Sequence, residues 1–275
     1  MCAAAPAYFP GEPPHLDSTA VINRNDKPLF WAPANAGPRA AGLSSTTLAV
    51  PSRTPLPPGY AKLPKKPRYR PRPVNSKMIE ACSYAMHKIG GTKVGRLCVV
   101  SSVRGEGRTS IATAMAYVHA RDYGRSTLLL DADFDGPQLA SMFGLPPSPG
   151  VEEVLRGRAG IDEAIHQVDD GLTVMPAGDV VGSPSRLAKE LASSNLLEEL
   201  QADYEVIIAD LPALLQSASG ALLADMFDTT VMVVRAGVTP MPKVREAVSA
   251  LRAEPIVMLN GTTSSLPYWL RRFFA

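Results

Sequence analysis

Cysteine is scarce in this chain: Cys2, Cys82 and Cys98 are the three among 275 residues. They show no metal-ligand spacing and suggest reduced thiols in a cytosolic protein. Histidine is nearly as rare, and His15, His87, His119 and His166 are too scattered to build a metal site. No apolar run approaches the roughly 20 residues that a membrane-spanning helix needs. The opening MCAAAPAYFPGEPP lacks the basic start and apolar core of a signal peptide. Net charge is also small, a formal +2, which by itself does not imply a nucleic-acid partner. The expectation is a cytoplasmic protein whose membrane association, if any, comes through a partner or surface contact.

Proline is abundant but uneven: more than half of the 26 prolines precede Ser76. Residues 1–75 show no sustained apolar periodicity and bury too little surface to offset ordering entropy, so a disordered, partly polyproline-II tail is expected there. Within it, AKLPKKPRYRPRPVNSK (61–77) holds seven basic residues and no acid. Such a run reads either as a solvated linker or as a patch for an anionic surface. The end of the chain, LPYWLRRFFA, offers a second aromatic and basic edge that either packs on the domain or meets a membrane surface.

From Ser76 onward the pattern changes to a folded domain, 76–275. SKMIEACSYAMHKIGG reads as an amphipathic helix capped by Ser76 and stopped by Gly90-Gly91. RLCVVSS, STLLLDAD, GLTVMPAG, YEVIIAD, TTVMVVRAG and EPIVMLNG follow as short apolar strands, most of them separated by helix-length segments. Continuous apolar strands interleaved with helices predict an α/β fold, a mostly parallel twisted sheet covered on both faces.

The chemistry concentrates where strands end. SSVRGEGRTS (101–110) follows the first of these strands and opens the helix TSIATAMAYV. A glycine-containing turn there aims backbone N–H groups at an oxyanion, and the helix N-terminus adds its positive dipole end. Arg108 then faces the β- and γ-phosphates, and Thr109 supplies a hydroxyl for Mg²⁺. The loop alone is a poor match to GxxxxGK[ST], because Ser102 and Arg108 stand at its first glycine and its lysine. Asp131 and Asp133 end one apolar strand on a shared face, and Asp210 ends another. Carboxylates at strand ends are costly unless they serve a cation or a base, and ligand sites in open parallel sheets form there.

With those residues in view, the chain from Ser76 resembles the cytoplasmic P-loop domain of bacterial tyrosine kinases that regulate capsule and exopolysaccharide synthesis. That family sits within the superfamily of partitioning and cell-division-site ATPases. SSVRGEGRT is similar to its phosphate loop, LLLDADFDGPQLASMFG to its Asp-x-Asp motif, and YEVIIADLPAL to its Walker B strand. GVEEVLRG, LTVMPAGD, VMVVRAG and VMLNG resemble further segments in the same order.

The resemblance implies a P-loop NTPase fold that takes ATP and Mg²⁺, with Gly105, Glu106, Gly107, Arg108, Thr109 and Ser110 around the phosphates. It implies metal contacts from Thr109, Asp131 and Asp210, and catalytic roles for Arg108, Asp131, Asp133 and Asp210. Asn260 falls either at the nucleotide-base contact or in an ordinary turn. The implied partner is a membrane-embedded polysaccharide chain-length or export protein, with a homo-oligomer also possible and no nucleic acid.

Departures keep other readings open. Asp135 replaces a family arginine, Ser83 and Met86 replace two arginines of the oligomer motif that begins at Glu80, and Tyr268 stands alone where a tyrosine cluster is expected. A degenerate nucleotide-binding interaction module is therefore the alternative to an active or weakened kinase. A positioning ATPase is disfavoured by Val103 at its signature-lysine place, and an iron–sulfur reductase by the lack of cysteines after Cys98.

Overall fold

The computed structural model describes residues 18–22, 74–88 and 95–262. Its elements run β1 (Ser18–Ile22), α1 (Ser76–Lys88), β2 (Arg96–Ser101), α2 (Arg108–Tyr117), β3 (Thr127–Asp131), α3 (Leu139–Phe143), α4 (Val151–Leu155) and α5 (Ile161–Ala164). They continue as β4 (His166–Asp169), β5 (Leu172–Met175), α6 (Pro184–Ser193), α7 (Leu196–Asp203), β6 (Val206–Asp210), α8 (Ala218–Ala224), β7 (Thr229–Arg235), α9 (Met241–Ser249) and β8 (Ile256–Thr262). One sheet joins the strands in the order β1-β8-β7-β2-β6-β3-β5-β4. The pairings from β8 through to β5 are parallel, and β1 and β4 are antiparallel edges.

The apolar runs dictate this arrangement. Successive strand residues face opposite sides, so a strand buried on both faces must be apolar at every position. Leu97, Val99, Leu129, Val206, Ile208, Val231 and Val233 pack with α1, α2 and α3 on one side. Cys98, Val100, Leu128, Leu130, Ile207, Ala209, Met232 and Val234 pack with α6 to α9 on the other. Helix α2 is buried on nearly every side, from Ile111 through Tyr117, and its stability comes from packing rather than from an exposed polar face.

Two local expectations change. Helix α1 is capped by Asn75, not Ser76: Asn75 Oδ1 accepts the Lys77 N–H at 3.0 Å, and its carbonyl accepts those of Met78 and Ile79. Strand β1 falls inside the stretch 1–75 expected to be disordered, so that expectation fails for these five residues. Its segment STAVI is rich in β-branched and small apolar residues and pairs with β8 at the far end of the chain. The basic run at 61–73, Gly90-Gly91 and the edge at 266–275 lie outside the described residues. Among the described residues no helix is long and apolar enough to cross a membrane.

Candidate functional site

Alternation along the strands decides which acids meet. On β3, Leu129 faces α2, and Asp131, two residues on, must face it too. On β6 the same count from Ile208 leads to Asp210, and the parallel register pairs Asp131 directly with Asp210. Both lie under the loop between β2 and α2 and are essentially inaccessible, at 0% and 1% exposure. Burial raises the pKa of each. Asp131 is pushed up to about 8 by burial and then by the neighbouring Asp210 charge. For Asp210, burial outweighs the opposing pull of Arg108 and of a hydrogen bond from the Thr109 side chain.

Asp131 spends its oxygens on the backbone. Oδ2 accepts the N–H groups of Gln138 at 3.0 Å and Leu139 at 2.9 Å, fixing the start of α3, and Oδ1 accepts that of Asp133 at 3.3 Å. These bonds favour its anion but do not overcome burial.

The loop is held from beneath by Glu106. Its Oε2 accepts the Val103 N–H at 2.9 Å, and its Oε1 accepts the Arg235 N–H at 3.0 Å and the Thr239 hydroxyl. Glu106 is 2% exposed, so the carboxylate ties the loop to the end of β7 and the approach to α9 and does not face a ligand. Asn260, on β8, donates from Nδ2 to the Glu106 carbonyl at 2.9 Å. Gly107 must be glycine: its φ is +90°, and a Cβ there would lie 2.1 Å from Asn260 Nδ2. Gly107 precedes α2 without any side-chain cap, which leaves the helix's first N–H groups for an anion.

Arg108 turns inward. Its Nε donates to Asp210 Oδ1 at 2.8 Å and its Nη2 to Asp133 Oδ2, with the arginine side chain 7% exposed. Burial opposes the guanidinium charge, but Asp210 and Asp133 more than offset it, and its pKa stays above the ordinary value. Asp133 is raised by burial against the pull of Arg108 and Arg104. Bringing such charges out of water costs several kcal/mol per ion, a cost that only close pairing of this kind offsets.

A cavity of about 230 Å³ opens above these groups, lined by Gly105, Gly107, Arg108, Thr109, Ser110 and Asp133 among others. The structure thus gathers into one place the loop residues, Asp131 and Asp210 at the ends of β3 and β6, and Asp133, which lies just beyond β3 and not on it. It sets Asn260 against the loop. Arg104, which the sequence reading passed over, also lines this cavity. Its signal was an arginine beside the loop glycine, easily read as a solvated residue. A larger depression of about 520 Å³ on α1, lined by Tyr84 and Tyr123, is remote from these groups.

The phosphates of a nucleotide fit this loop, because its glycines and the uncapped helix start present backbone donors without side-chain obstruction. A divalent cation finds oxygen donors in Thr109, Asp210 and Asp133, whose Oδ1 is buried with no hydrogen-bond partner among the described residues. The Arg108 guanidinium takes one oxygen of each of those carboxylates, which leaves Asp133 Oδ1 and Asp210 Oδ2 to meet such an ion. Among the described residues no cluster of three or more His, Cys, Asp or Glu side chains could hold a metal by itself.

Fold and loop together define a P-loop α/β domain. Its relatives in sequence and in structure include bacterial tyrosine kinases, and the resemblance read from the motifs is borne out. No family model matches the chain. It is 29% identical over 154 residues to the tyrosine-protein kinase YwqD of Bacillus subtilis, a match spanning 56% of this chain and 65% of that protein. It is 30% identical over 174 residues to the succinoglycan biosynthesis transport protein ExoP of Rhizobium meliloti, spanning 62% of this chain and 22% of ExoP. The kinase domain of VpsO superposes with a TM-score of 0.62 at 28% identity, covering 68% of this chain and 94% of that domain. The kinase domain of the Escherichia coli tyrosine kinase ETK shares the fold, with a TM-score of 0.60 at 22% identity over 69% of this chain and 79% of that one. The chain spans less than two thirds of YwqD and a far smaller part of ExoP.

Proposed function

We propose that this chain binds Mg·ATP at residues 102–110 and regulates exopolysaccharide or capsule synthesis and export, as a tyrosine-kinase-like protein whose phosphoryl transfer is weakened. The observation that carries this reading is the loop between β2 and α2 set over the registered pair Asp131 and Asp210, in a chain whose relatives include tyrosine kinases and a succinoglycan transport protein. In this reading the loop N–H groups and the start of α2 hold the phosphates, and Thr109 and Ser110 add hydroxyls beside them. Thr109, Asp210 and Asp133 hold the cation, with Asp131 placing the turn that follows β3. Bound Mg²⁺ would neutralise charge on the transferring phosphoryl group. The chain works on the cytoplasmic side of the membrane through a membrane-embedded chain-length or export partner.

The test is a titration of the chain with ATP, with and without Mg²⁺, followed by a phosphotyrosine assay on the same sample. Mg²⁺-dependent binding with slow transfer is the expected result, and absence of ATP binding ends this reading. A second reading, a nucleotide-binding interaction module without transfer, is favoured by one observation: Arg108 is engaged with Asp133 and Asp210 and does not face the cavity as an open cation. Saturable ATP binding with no phosphotyrosine from either this chain or its partner selects that module.

A further inference from the structure

Two arginines border the phosphate cavity, and their circumstances are opposite. Arg108 is buried and bonds to two buried carboxylates. Arg104 is exposed and is held at two points, once by a side chain and once by a carbonyl. Its N–H donates to Gln216 Oε1 at 3.0 Å, and its Nη2 donates to the Asp135 carbonyl at 3.2 Å. The second bond lays the guanidinium beside Gly136, where an added Cβ would lie only 3.7 Å from Nη2. Among the described residues no carboxylate forms an ion pair with Arg104. It is thus a positioned cation, with one guanidinium bond to a neutral carbonyl, on the wall of a cavity suited to phosphate.

Withdrawing Arg108 toward a phosphate would strand Asp133 and Asp210 as uncompensated buried charges, a strongly unfavourable change. Turning Arg104 toward the same phosphate gives up one hydrogen bond to a carbonyl and part of its longer-range pull on Asp133, and gains charge-assisted bonds, which are about twice as strong as neutral ones.

We propose that the two arginines divide the work of the single loop lysine. Arg108 stays with Asp133 and Asp210 as their internal counter-ion, and Arg104 pairs with the terminal phosphates of a nucleoside triphosphate. This rests on the nucleotide-binding reading above and adds which side chain meets the phosphate. It also explains how a loop without lysine keeps a cation for its ligand while its carboxylates remain balanced.

The test uses the full chain, titrated separately with ATP and with inorganic tripolyphosphate, alongside the melting temperature of the ligand-free protein. Arg104→Gln should weaken both ligands by roughly 10-fold or more, the worth of a hydrogen bond to a charged group, without moving the ligand-free melting temperature. Arg108→Gln should lower that melting temperature, and the double variant Arg108→Gln with Asp133→Asn should recover part of the loss. If Arg108→Gln does not fold, recovery of folding in the double variant supports the counter-ion role. Unchanged affinity in Arg104→Gln, with wild type binding both ligands, overturns the division and returns the phosphate to Arg108. Weakening for ATP alone places Arg104 at the nucleoside and likewise overturns it. An unmoved melting temperature in Arg108→Gln removes the counter-ion role. A wild type that binds neither ligand fails the nucleotide reading itself, an outcome distinct from the others because it appears before any substitution.

Discussion

The two ends of α2 bury polar groups in opposite ways. At the N-terminal end, Arg108, Asp133, Asp210, Asp131 and Glu106 are buried with partners matched to their charge. At the other end α2 passes into a π-helical turn, Val118–Asp122, that buries His119 completely, with no hydrogen-bond partner for either ring nitrogen among the described residues. Arg108 keeps its charge there through Asp210 and Asp133, while burial pushes the Asp131 carboxyl toward its neutral form. His119 gives its charge up: burial, with help from Arg125, lowers its pKa from 6.5 to about 4. Burial alone therefore does not mark a site; burial with a compensating partner does.

Substitutions can break or sharpen this contrast. The largest effect is expected at Glu106. Glu106→Ala takes the carboxylate from the part-buried Val103 and Arg235 N–H groups and from the Thr239 hydroxyl, at about 4 kcal/mol for three hydrogen bonds to a charged group, measured by urea unfolding. A loss under about 1 kcal/mol would show that water replaces the carboxylate and that the loop is not clamped.

Next comes the opposite end. Because the folded pKa of His119 lies below its unfolded value, the unfolded chain holds a proton that the folded chain lacks between pH 6.5 and 4. Its contribution is complete above this window and is lost as pH falls through it, by about 3 kcal/mol. Unfolding followed across that range should show His119→Leu with a flatter acid limb than wild type. Identical limbs would mean that His119 finds a proton acceptor.

Slightly smaller is the effect of Arg108→Lys on phosphoryl transfer. A lysine is more compact and pairs less completely with two carboxylates. Placing its charge where the transferring group develops charge should raise the initial rate in a phosphotyrosine assay about 10²-fold, or ~2.7 kcal/mol of barrier. A wild-type rate equal to that of the lysine variant would make arginine an adequate clamp. The smallest effect is at Asp131, whose oxygens accept backbone N–H groups. Asp131→Asn keeps one oxygen for the start of α3 and should cost about 1 kcal/mol of stability. Its Mg·ATP affinity should fall less than that of Asp210→Asn; the reverse order would put Asp131 among the cation's direct contacts.

Much of the fold was legible because parallel strands buried on both faces advertise themselves as unbroken apolar runs. RLCVV, TLLLD and VIIAD became β2, β3 and β6, and the polar residues that end them formed the site. Strand β1 was hidden by its proline-rich surroundings and by a partner at the opposite end of the chain. Strand β4, HQVD, is short and half-exposed, and only its antiparallel pairing with β5 defines it. Within the site, spacing showed which residues gather but not where their side chains point. Glu106 stands in the phosphate loop yet points beneath it, and Arg108 stands at the lysine position yet serves the carboxylates. Such orientation depends on which buried donors and acceptors remain to be matched, and those lie on strands distant in sequence.

The bond from Asn260 to Glu106 joins residues 154 positions apart. It gives the loop a place in time as well as in space. During synthesis the loop emerges with the first half of the domain, along with the strand and helix that flank it. The side chain that lies across Gly107 arrives only with the last strand. An early-emerging loop therefore waits, unclosed, for nearly the whole chain, and a chain cut short before β8 would carry every residue of the phosphate motif without its finished shape.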